Sequence, residues 1–126
     1  MATASRRTPE ALATALRAIV AEAGGFYWDG NGVNPLLAML ALADGVVVTA
    51  DSVNMVGEAL ATGKPVMTFT PAGGTAKITA FLGALEAIGA IRPFNGACET
   101  YTYTPIDSTP AIAVELARRY AAHRRG

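Results

Sequence analysis

The first apolar residues along the chain recur at helical spacing. One face of a helix would carry Leu12, Leu16, Ile19 and Val20. Thr8 followed by Pro9 is typical of a helix start with threonine as the N-cap, and Gly24-Gly25 is typical of a helix end. The pattern predicts a first helix over about residues 9–23.

Aromatic and then aliphatic residues follow this helix. Phe26-Tyr27-Trp28 predicts a short strand, which ends in the turn-forming residues 29–32. Asn34-Pro35 predicts the start of a second short helix. Because residues 35–43 are almost all apolar, we expect this helix to be buried and to lead directly into a buried strand.

The run from Gly45 to Ala50 is rich in β-branched residues and shows no polar alternation. Such a run is typical of a parallel strand covered on both faces, so we expect a central strand here. Asp51-Ser52 predicts the cap of a third helix, and Gly63 predicts its end before a strand from residue 66 to 69. The segment is therefore a strand, helix, strand unit.

The rest of the chain continues this alternation. Residues 71–74 predict a loop, and apolar residues at helical spacing from 78 to 88 predict a fourth helix that ends near Gly89. A final helix is expected over about residues 109–123. Strands that alternate with helices of this length predict an α/β fold with a doubly wound, mainly parallel, Rossmann-like sheet.

The expected fold begins in an unusual way. A doubly wound domain usually begins with a strand, whereas residues 1–4 supply at most a strand stub before the first helix. We therefore interpret residues 1–126 as a single Rossmann-like domain that lacks its first strand, and the chain as one half of a two-domain protein.

Composition narrows the classes of function. With 126 residues, 52% of them hydrophobic, the chain has enough apolar side chains for one core. Ten basic and ten acidic residues balance, so no overall charge favours nucleic acid or an anionic membrane. No apolar run reaches the roughly 20 residues of a membrane-spanning helix, and no secretory signal is recognisable. Because Cys98 and His123 are the single cysteine and histidine, we expect neither a disulfide nor a metal site, and a cytoplasmic setting.

Candidate chemistry lies in the loops that lead from strands into helices. The N-termini of those helices present backbone amides that suit anionic ligands. Ahead of the first helix, the guanidinium groups of Arg6 and Arg7 suit a phosphate or pyrophosphate. The alternative is a solvated pair of charges.

The second candidate loop follows the expected central strand. Its amides, with Ser52, Asn54 and Met55, would face a ligand at the start of the third helix. Glu58, less than two turns further on, could accept hydrogen bonds from ribose hydroxyls. The alternatives are that Ser52 or Asp51 is an ordinary helix cap and that Glu58 is a solvent-facing charge.

The third candidate loop is residues 70–75, with Gly73-Gly74 and then Lys77. It has neither the Walker pattern nor the dinucleotide glycine pattern, so ATPase and nicotinamide functions lose their usual support. Gly73-Gly74 would alternatively provide only a turn, and Lys77 either neutralises a phosphate, recognises a partner or is simply solvated.

Other chemistry-bearing residues offer less. His123 lies in a charged tail, so no Ser/His/Asp set is credible. We expect Tyr101, Tyr103 and the aromatic run 26–28 to fill a core or cover a domain interface, with base stacking as the alternative.

Residues 43–66, which read ADGVVVTADSVNMVGEALATGKPV, resemble the mitochondrial-fission Elm family. Further similar segments are residues 5–9, 34–35, 92–96 and 101–109, so the resemblance covers nearly the whole chain. Positions that depart from the family pattern are Val33, Leu36 and Ile78.

The resemblance implies a fold similar to the GT-B glycosyltransferases and the non-hydrolysing nucleotide-sugar 2-epimerases. In those enzymes two Rossmann-like domains enclose a cleft, and the carboxy-terminal domain holds the nucleotide. By this match, Ser52 and nearby amides would hold the diphosphate, Glu58 would hold the ribose, and Arg6 or Arg7 would add charge at the phosphates.

Two functions from different classes follow. Bacterial family members are described as predicted nucleoside-diphosphate-sugar epimerases, which implies a domain that binds a nucleoside diphosphate sugar and needs no other cofactor. The absent partner domain would carry any general base, so we expect the chain alone to be inactive. Plant members look like factors that recruit a dynamin-related protein to mitochondria, which implies a non-catalytic interaction module. A missing strand would also expose apolar surface and favour a homo-oligomer.

Overall fold

The computed structural model describes residues 1–51, 53–70, 75–105 and 109–125. They belong to two compact units, Met1–Ala43 and Asp44–Gly126. Each unit combines helices with a parallel sheet, so the α/β class is confirmed, and the alternation of strands and helices is consistent with a Rossmann-like fold. The expectation of one domain over residues 1–126 stays a prediction.

The first unit contains strand β1 (Ala2–Thr3), helix α1 (Glu10–Glu22), strand β2 (Tyr27–Trp28) and helix α2 (Leu36–Leu42). β1 and β2 pair in parallel, with Ala2 opposite Tyr27 and Thr3 opposite Trp28. The strand stub expected at residues 1–4 is therefore β1, and it forms one side of a two-stranded sheet.

The start of α1 differs from the sequence prediction. Pro9 is the N-cap, and no side chain caps the helix. The Thr8 hydroxyl instead accepts a hydrogen bond from the backbone N–H of Ser5 at 2.9 Å, while Thr8 N–H donates to the Ser5 carbonyl at 3.1 Å. Thr8 was predicted wrongly as the cap because its side chain closes the turn that precedes the helix.

The loop after β2 is held by its own polar groups. The Trp28 indole N–H donates to the Asn31 carbonyl at 2.8 Å, and the Asn31 backbone N–H donates to Asp29 Oδ1 at 3.0 Å. The second bond stabilises the carboxylate and holds the pKa of Asp29 below its usual value. The turn-forming residues predicted at 29–32 thus make a defined turn.

Helix α2 begins where Asn34 Oδ1 accepts a hydrogen bond from the Leu36 backbone N–H at 2.9 Å. Only part of this helix is covered, because Leu40 is buried whereas Leu37 and Leu42 are 79% and 74% exposed. The expectation of a fully buried helix was wrong, since a continuous apolar run does not show how many faces of the helix have neighbours.

The described residues of the second unit form three strands and three helices that alternate along the chain. In chain order they are β3 (Val46–Thr49), α3 (Val53–Ala61), β4 (Val66–Phe69), α4 (Ala76–Ala87), β5 (Ile91–Pro93) and α5 (Thr109–Arg125). The strands form one parallel sheet in the order β3, β4, β5. Helix α5 runs two residues beyond its predicted end.

The central strand of this sheet is β4. Val66, Met67 and Thr68 are buried, and β4 pairs with β3 on one side and β5 on the other. In the described sheet β3 lies at an edge, and its Val47 is 45% exposed. The expectation that β3 is the central strand was wrong. A run of β-branched residues indicates that a strand tends to be buried, but it does not show which strands pair with it.

The core of the second unit lies between this sheet and its helices. Helix α3 contributes Val56, Ala59 and Leu60, and α4 contributes Leu82 and Leu85. These residues recur every three or four positions, so they fall on the sheet-facing side of each helix. The sheet supplies further buried residues, including Val66, Met67 and Ile91.

Two tyrosines close the amino end of the sheet. The Tyr101 hydroxyl accepts from Val66 N–H at 2.8 Å and lies 2.5 Å from the Val66 carbonyl and 3.0 Å from that of Ala90, to either of which it can donate. The Tyr103 hydroxyl lies 2.7 Å from the Lys64 carbonyl, to which it can donate. The expectation that these rings fill a core is confirmed for Tyr101, which is 9% exposed.

The tyrosines are held further by a charged pair. Arg92 lies 4.3 Å above the centre of the Tyr101 ring and forms an ion pair with Glu99 at 3.1 Å. Burial raises the pKa of Tyr101, and it raises the pKa of Tyr103 to about 12. Both phenols therefore stay protonated and able to donate hydrogen bonds over the neutral pH range.

None of the helices formed by the described residues is long and apolar enough to cross a lipid bilayer.

Candidate functional site

The parallel register brings the carboxyl ends of β3, β4 and β5 to one side of the sheet. Thr49 pairs with Phe69 at that side. Beyond the strands, Ala50 N–H donates to the Phe69 carbonyl and Phe94 N–H donates to the Thr68 carbonyl, both at 2.8 Å. The segments that follow the three strands therefore begin side by side along one side of the sheet, which we call the carboxyl edge.

The segment after β3 leads into α3 within a few residues. Asp51 and Met55 are half-buried there, and Asn54 is exposed. The first turn of a helix has backbone N–H groups without intrahelical acceptors, so α3 presents such groups near the carboxyl edge. Ser52 lies outside the described residues, and its expected contact with a diphosphate stays a prediction.

Glu58 lies on the exposed side of α3. Val56 and Leu60 are buried, whereas Asn54 and Glu58, four residues apart, share the opposite side of the helix. Glu58 is one helical turn further from the carboxyl edge than Asn54. Its role as a ribose ligand stays a prediction, and the solvent-facing alternative agrees with its exposure.

Helix α4 also begins near the carboxyl edge. Thr75 is its N-cap, and the Thr75 hydroxyl accepts a hydrogen bond from the Ile78 backbone N–H at 3.3 Å. Lys77 is exposed in the first turn of this helix, and its predicted contact with a phosphate stays a prediction. Gly73 and Gly74 lie outside the described residues, so their predicted part in the loop is not described.

Arg6 and Arg7 lie in the first unit, in the turn between β1 and α1. Both are exposed, and the Ser5 hydroxyl accepts a hydrogen bond from the Arg7 backbone N–H at 3.2 Å. The turn thus uses several of its own polar groups. Their predicted contact with phosphates stays a prediction.

Sequence reasoning missed β5 and the turn that follows it. Phe94 is half-buried after β5, and Asn95 Oδ1 accepts a hydrogen bond from the Ala97 backbone N–H at 3.3 Å. Gly96 in this turn has a φ of 99°, which favours glycine. The sequence offered only the apolar pair Ala90-Ile91 after the end of the helix. Two residues are too few to show the alternation that is typical of a strand.

The described groups at the carboxyl edge are of the kinds that bind anions. They combine helix amides with the Asn54 amide, the Thr75 hydroxyl and the Lys77 ammonium group. Asp51 has the opposite charge, so attraction of an anion there rests on Lys77 and the helix amides. Within the described residues, no cluster of three histidine, cysteine, aspartate or glutamate side chains could hold a metal ion.

Comparison with known proteins identifies relatives of this chain. The family model "Mitochondrial fission ELM1" matches residues 1–120. Mitochondrial fission protein ELM1 of Arabidopsis thaliana is 37% identical over 100 residues, which are 77% of this chain and 23% of that protein. Uncharacterized protein RP120 of Rickettsia prowazekii (strain Madrid E) is 31% identical over 116 residues, which are 86% of this chain and 33% of that protein. No solved structure matches the chain significantly.

The chain spans between about a quarter and a third of the length of these two relatives. The resemblance that the sequence indicated is confirmed, because the family model covers almost every residue. The chain belongs to the mitochondrial fission ELM1 family.

Proposed function

We propose that the chain binds a nucleoside diphosphate sugar at the carboxyl edge of the second unit's sheet. The observation that carries the proposal is the parallel register of β3, β4 and β5. Because of this register, the two segments that lead into α3 and α4 begin side by side at the carboxyl edge. In open α/β sheets, ligands bind where such segments meet helix N-termini. A diphosphate is the kind of ligand that these amides recognise.

Each part of the ligand has a proposed partner. The amides at the start of α3, with Ser52, hold the diphosphate, and Lys77 offsets its charge. Asn54 and Met55 line the approach, Gly73 and Gly74 belong to the proposed site, and Glu58 accepts hydrogen bonds from the ribose. Arg6 and Arg7 of the first unit are proposed separately as phosphate ligands of the turn between β1 and α1.

The proposal assigns binding and not turnover to this chain. Sugar transfer or epimerisation requires an acceptor site as well as a general base. In a longer protein with a GT-B-like architecture, a second domain would supply those groups. This chain would then stabilise the departing diphosphate by fixed dipoles and charge.

A second candidate is a non-catalytic interaction module. The relative from Arabidopsis thaliana is named a mitochondrial fission protein, and that name describes no reaction. Helix α5 favours this candidate, because its apolar side chains Ile112, Val114 and Leu116 are each more than 60% exposed. Exposed apolar side chains on a charged helix are typical of a surface that meets another protein.

Calorimetric titration with uridine, guanosine and adenosine diphosphates tests the first candidate. We expect saturable binding of at least one of them, weakened about tenfold or more by Glu58→Ala, because a hydrogen bond to a charged group contributes about 1.5–3 kcal/mol. Lys77→Ala should weaken all three alike, since it meets the phosphates rather than the base.

The matched control is Glu86→Ala, which removes an exposed glutamate from α4 outside the proposed site. Equal weakening by Glu58→Ala and Glu86→Ala would remove Glu58 from the site. No binding by a chain with a cooperative thermal transition would reject the nucleotide proposal and leave the interaction module.

A further inference from the structure

Two exposed turns contain an asparagine followed by glycine, the pair in which a side-chain amide reacts most readily with its own backbone. Glycine has no Cβ, so its nitrogen can approach the amide carbon of the preceding side chain closely. Of the four asparagines, Asn34 precedes a proline, which has no N–H, and Asn54 precedes Met55 within α3. The pairs that remain are Asn31-Gly32 and Asn95-Gly96, and their residues are all exposed.

The turn after β5 holds Asn95 in an arrangement that favours this reaction. Asn95 Oδ1 accepts a hydrogen bond from the Ala97 backbone N–H at 3.3 Å. The ring that this bond closes contains both the Asn95 amide carbon and the Gly96 nitrogen, so the reacting atoms are held near each other. The donated hydrogen bond also draws electrons from the amide carbon, as a donor to a developing oxyanion does.

Gly96 itself leaves the approach open. It has a φ of 99°, and a Cβ built at this position would meet nothing within 4 Å. The hydrogen of its nitrogen is shielded by no side chain of its own, because glycine has none. The turn thus supplies both an activated amide and an accessible nitrogen.

Asn31 has the same following residue but the opposite electronic environment. Its backbone N–H and its side-chain amide both donate hydrogen bonds to the Asp29 carboxylate. Donation to an anion makes the Asn31 amide carbon less electrophilic and holds the side chain on Asp29. The Asn31 carbonyl accepts from the Trp28 indole N–H at 2.8 Å, which holds the peptide that leads to Gly32. The structure therefore separates two pairs that look alike in the sequence.

We propose that Asn95 is a site of spontaneous deamidation and that Asn31 is protected from it. The Gly96 nitrogen loses its proton to solvent base and bonds to Asn95 Cγ. The bond between Cγ and Nδ2 breaks, and the nitrogen leaves as ammonia after taking a proton from water. Water then opens the cyclic imide at either carbonyl, which gives aspartate or isoaspartate. One water is consumed, one ammonium ion is released, and the chain gains one negative charge.

The product would differ from the parent chain in charge and in backbone. The Phe94 N–H is bonded to the Thr68 carbonyl, so Asn95 follows directly after the end of β5. Aspartate at this position adds a negative charge to the turn. Isoaspartate also lengthens the main chain by one methylene group, because the chain then runs through the former side chain. The deamidated chain is thus a separate, more acidic form with an altered turn.

Peptide mass spectrometry on the full folded chain, kept in mildly alkaline buffer, tests the proposal. We expect Asn95 to deamidate at least about fivefold faster than Asn31, the effect of roughly one hydrogen bond. In the same chain unfolded in guanidinium chloride, both pairs lose their turns and should react at similar rates. The measurement uses no ligand, so its result is independent of the nucleotide proposal.

Two variants should each act on one pair, with the other pair as the control in the same molecule. Ala97→Pro removes the N–H that bonds Asn95 Oδ1 and should slow the reaction at Asn95 about fivefold. Asp29→Ala removes the carboxylate that holds Asn31 and should speed the reaction at Asn31 alone.

Several outcomes would overturn the proposal. They are equal rates at the two pairs in the folded chain, a faster reaction at Asn31, and a reaction at Asn95 that is slower in the folded chain than in the unfolded one. An Ala97→Pro variant that keeps its cooperative thermal transition and still reacts at the full rate at Asn95 would also overturn it. If that variant did not fold, the comparison of folded with unfolded chain would still decide.

Discussion

Backbone conformation and a close neighbour both require glycine at position 63. Gly63 has a φ of 74°, and a Cβ there would lie 3.0 Å from Pro105 Cγ. We expect Gly63→Ala to lower the free energy of unfolding by about 1–3 kcal/mol, since the left-handed conformation alone costs a non-glycine residue about 1–2 kcal/mol. Urea unfolding measures the change.

The control for Gly63→Ala is the same substitution at Gly83. A Cβ at Gly83 in α4 meets nothing within 4 Å, so Gly83→Ala should raise stability by about 0.5–1 kcal/mol through helix propensity. Effects of the same sign and size at both positions would contradict this account of Gly63.

Tyr103 should make stability depend on pH in the alkaline range. Burial raises its pKa to about 12 in the folded chain, above the value of about 10 in an unfolded chain. The folded state holds the proton more tightly, so this contribution is complete below pH 10 and is lost as pH rises towards 12. Tyr103→Phe should therefore reduce the loss of stability between pH 10 and 12.

Two features sharpen the Tyr103 measurement. Tyr103→Phe also removes a hydrogen bond to the Lys64 carbonyl, so at pH 8 it should cost about 1 kcal/mol. Tyr120→Phe is the control, because this tyrosine is 62% exposed on α5. If Tyr103→Phe kept the full alkaline loss of the unmodified chain, the phenol at position 103 would not be its source.

At the scale of elements, the cap of α4 links stability to the proposed site. The Thr75 hydroxyl bonds the Ile78 N–H, so Thr75→Ala should cost about 1 kcal/mol in thermal or urea unfolding. Thr75→Asp should restore the cap but place a negative charge beside the proposed diphosphate. We therefore expect Thr75→Asp to keep stability and weaken nucleotide binding, whereas unweakened binding would move the ligand away from α4.

Local patterns predicted the helices and most strands but not how the strands are ordered. Helix α1 and strand β4 lie where apolar spacing predicted them, since each has several residues on one face or in one run. Strand β5 has three residues and ends in Pro93, which leaves too little sequence for a period. In the described sheet, β3 lies at an edge because it pairs with β4 alone. A local sequence pattern does not show how many neighbours a strand has.

The candidate site was predictable in outline only. Ligands bind beyond the carboxyl ends of parallel strands, so the sequence predicted that Asn54 and Lys77 lie near one side of the sheet. The structure shows which residues of β3 and β4 pair at that side. The exposure of Glu58 was open in the sequence, because helical spacing alone does not show which side of α3 packs on the sheet. The capping role of Thr75 was missed, since its signal depends on where the helix begins.

At the scale of the whole molecule, the two units differ in how much they bury. Among the described residues, the first unit buries Ala13 and Leu40, whereas most of the buried core lies in the second. We expect hydrogen exchange to be slowest at Val66 to Thr68 and fastest in β1 and β2, because a two-stranded sheet of two-residue strands is weak by itself. Equal protection in both units, read by mass spectrometry, would contradict this expectation.

The tyrosine at the amino end of the sheet also sets an order of events during synthesis. Val66 N–H finds its acceptor on Tyr101, 35 residues later in the chain. The ribosome therefore synthesises β3, α3, β4, α4 and β5 before the residue that closes their sheet. A chain that stops before residue 101 would lack this acceptor for Val66 N–H at the start of β4, and we expect it to be prone to aggregate.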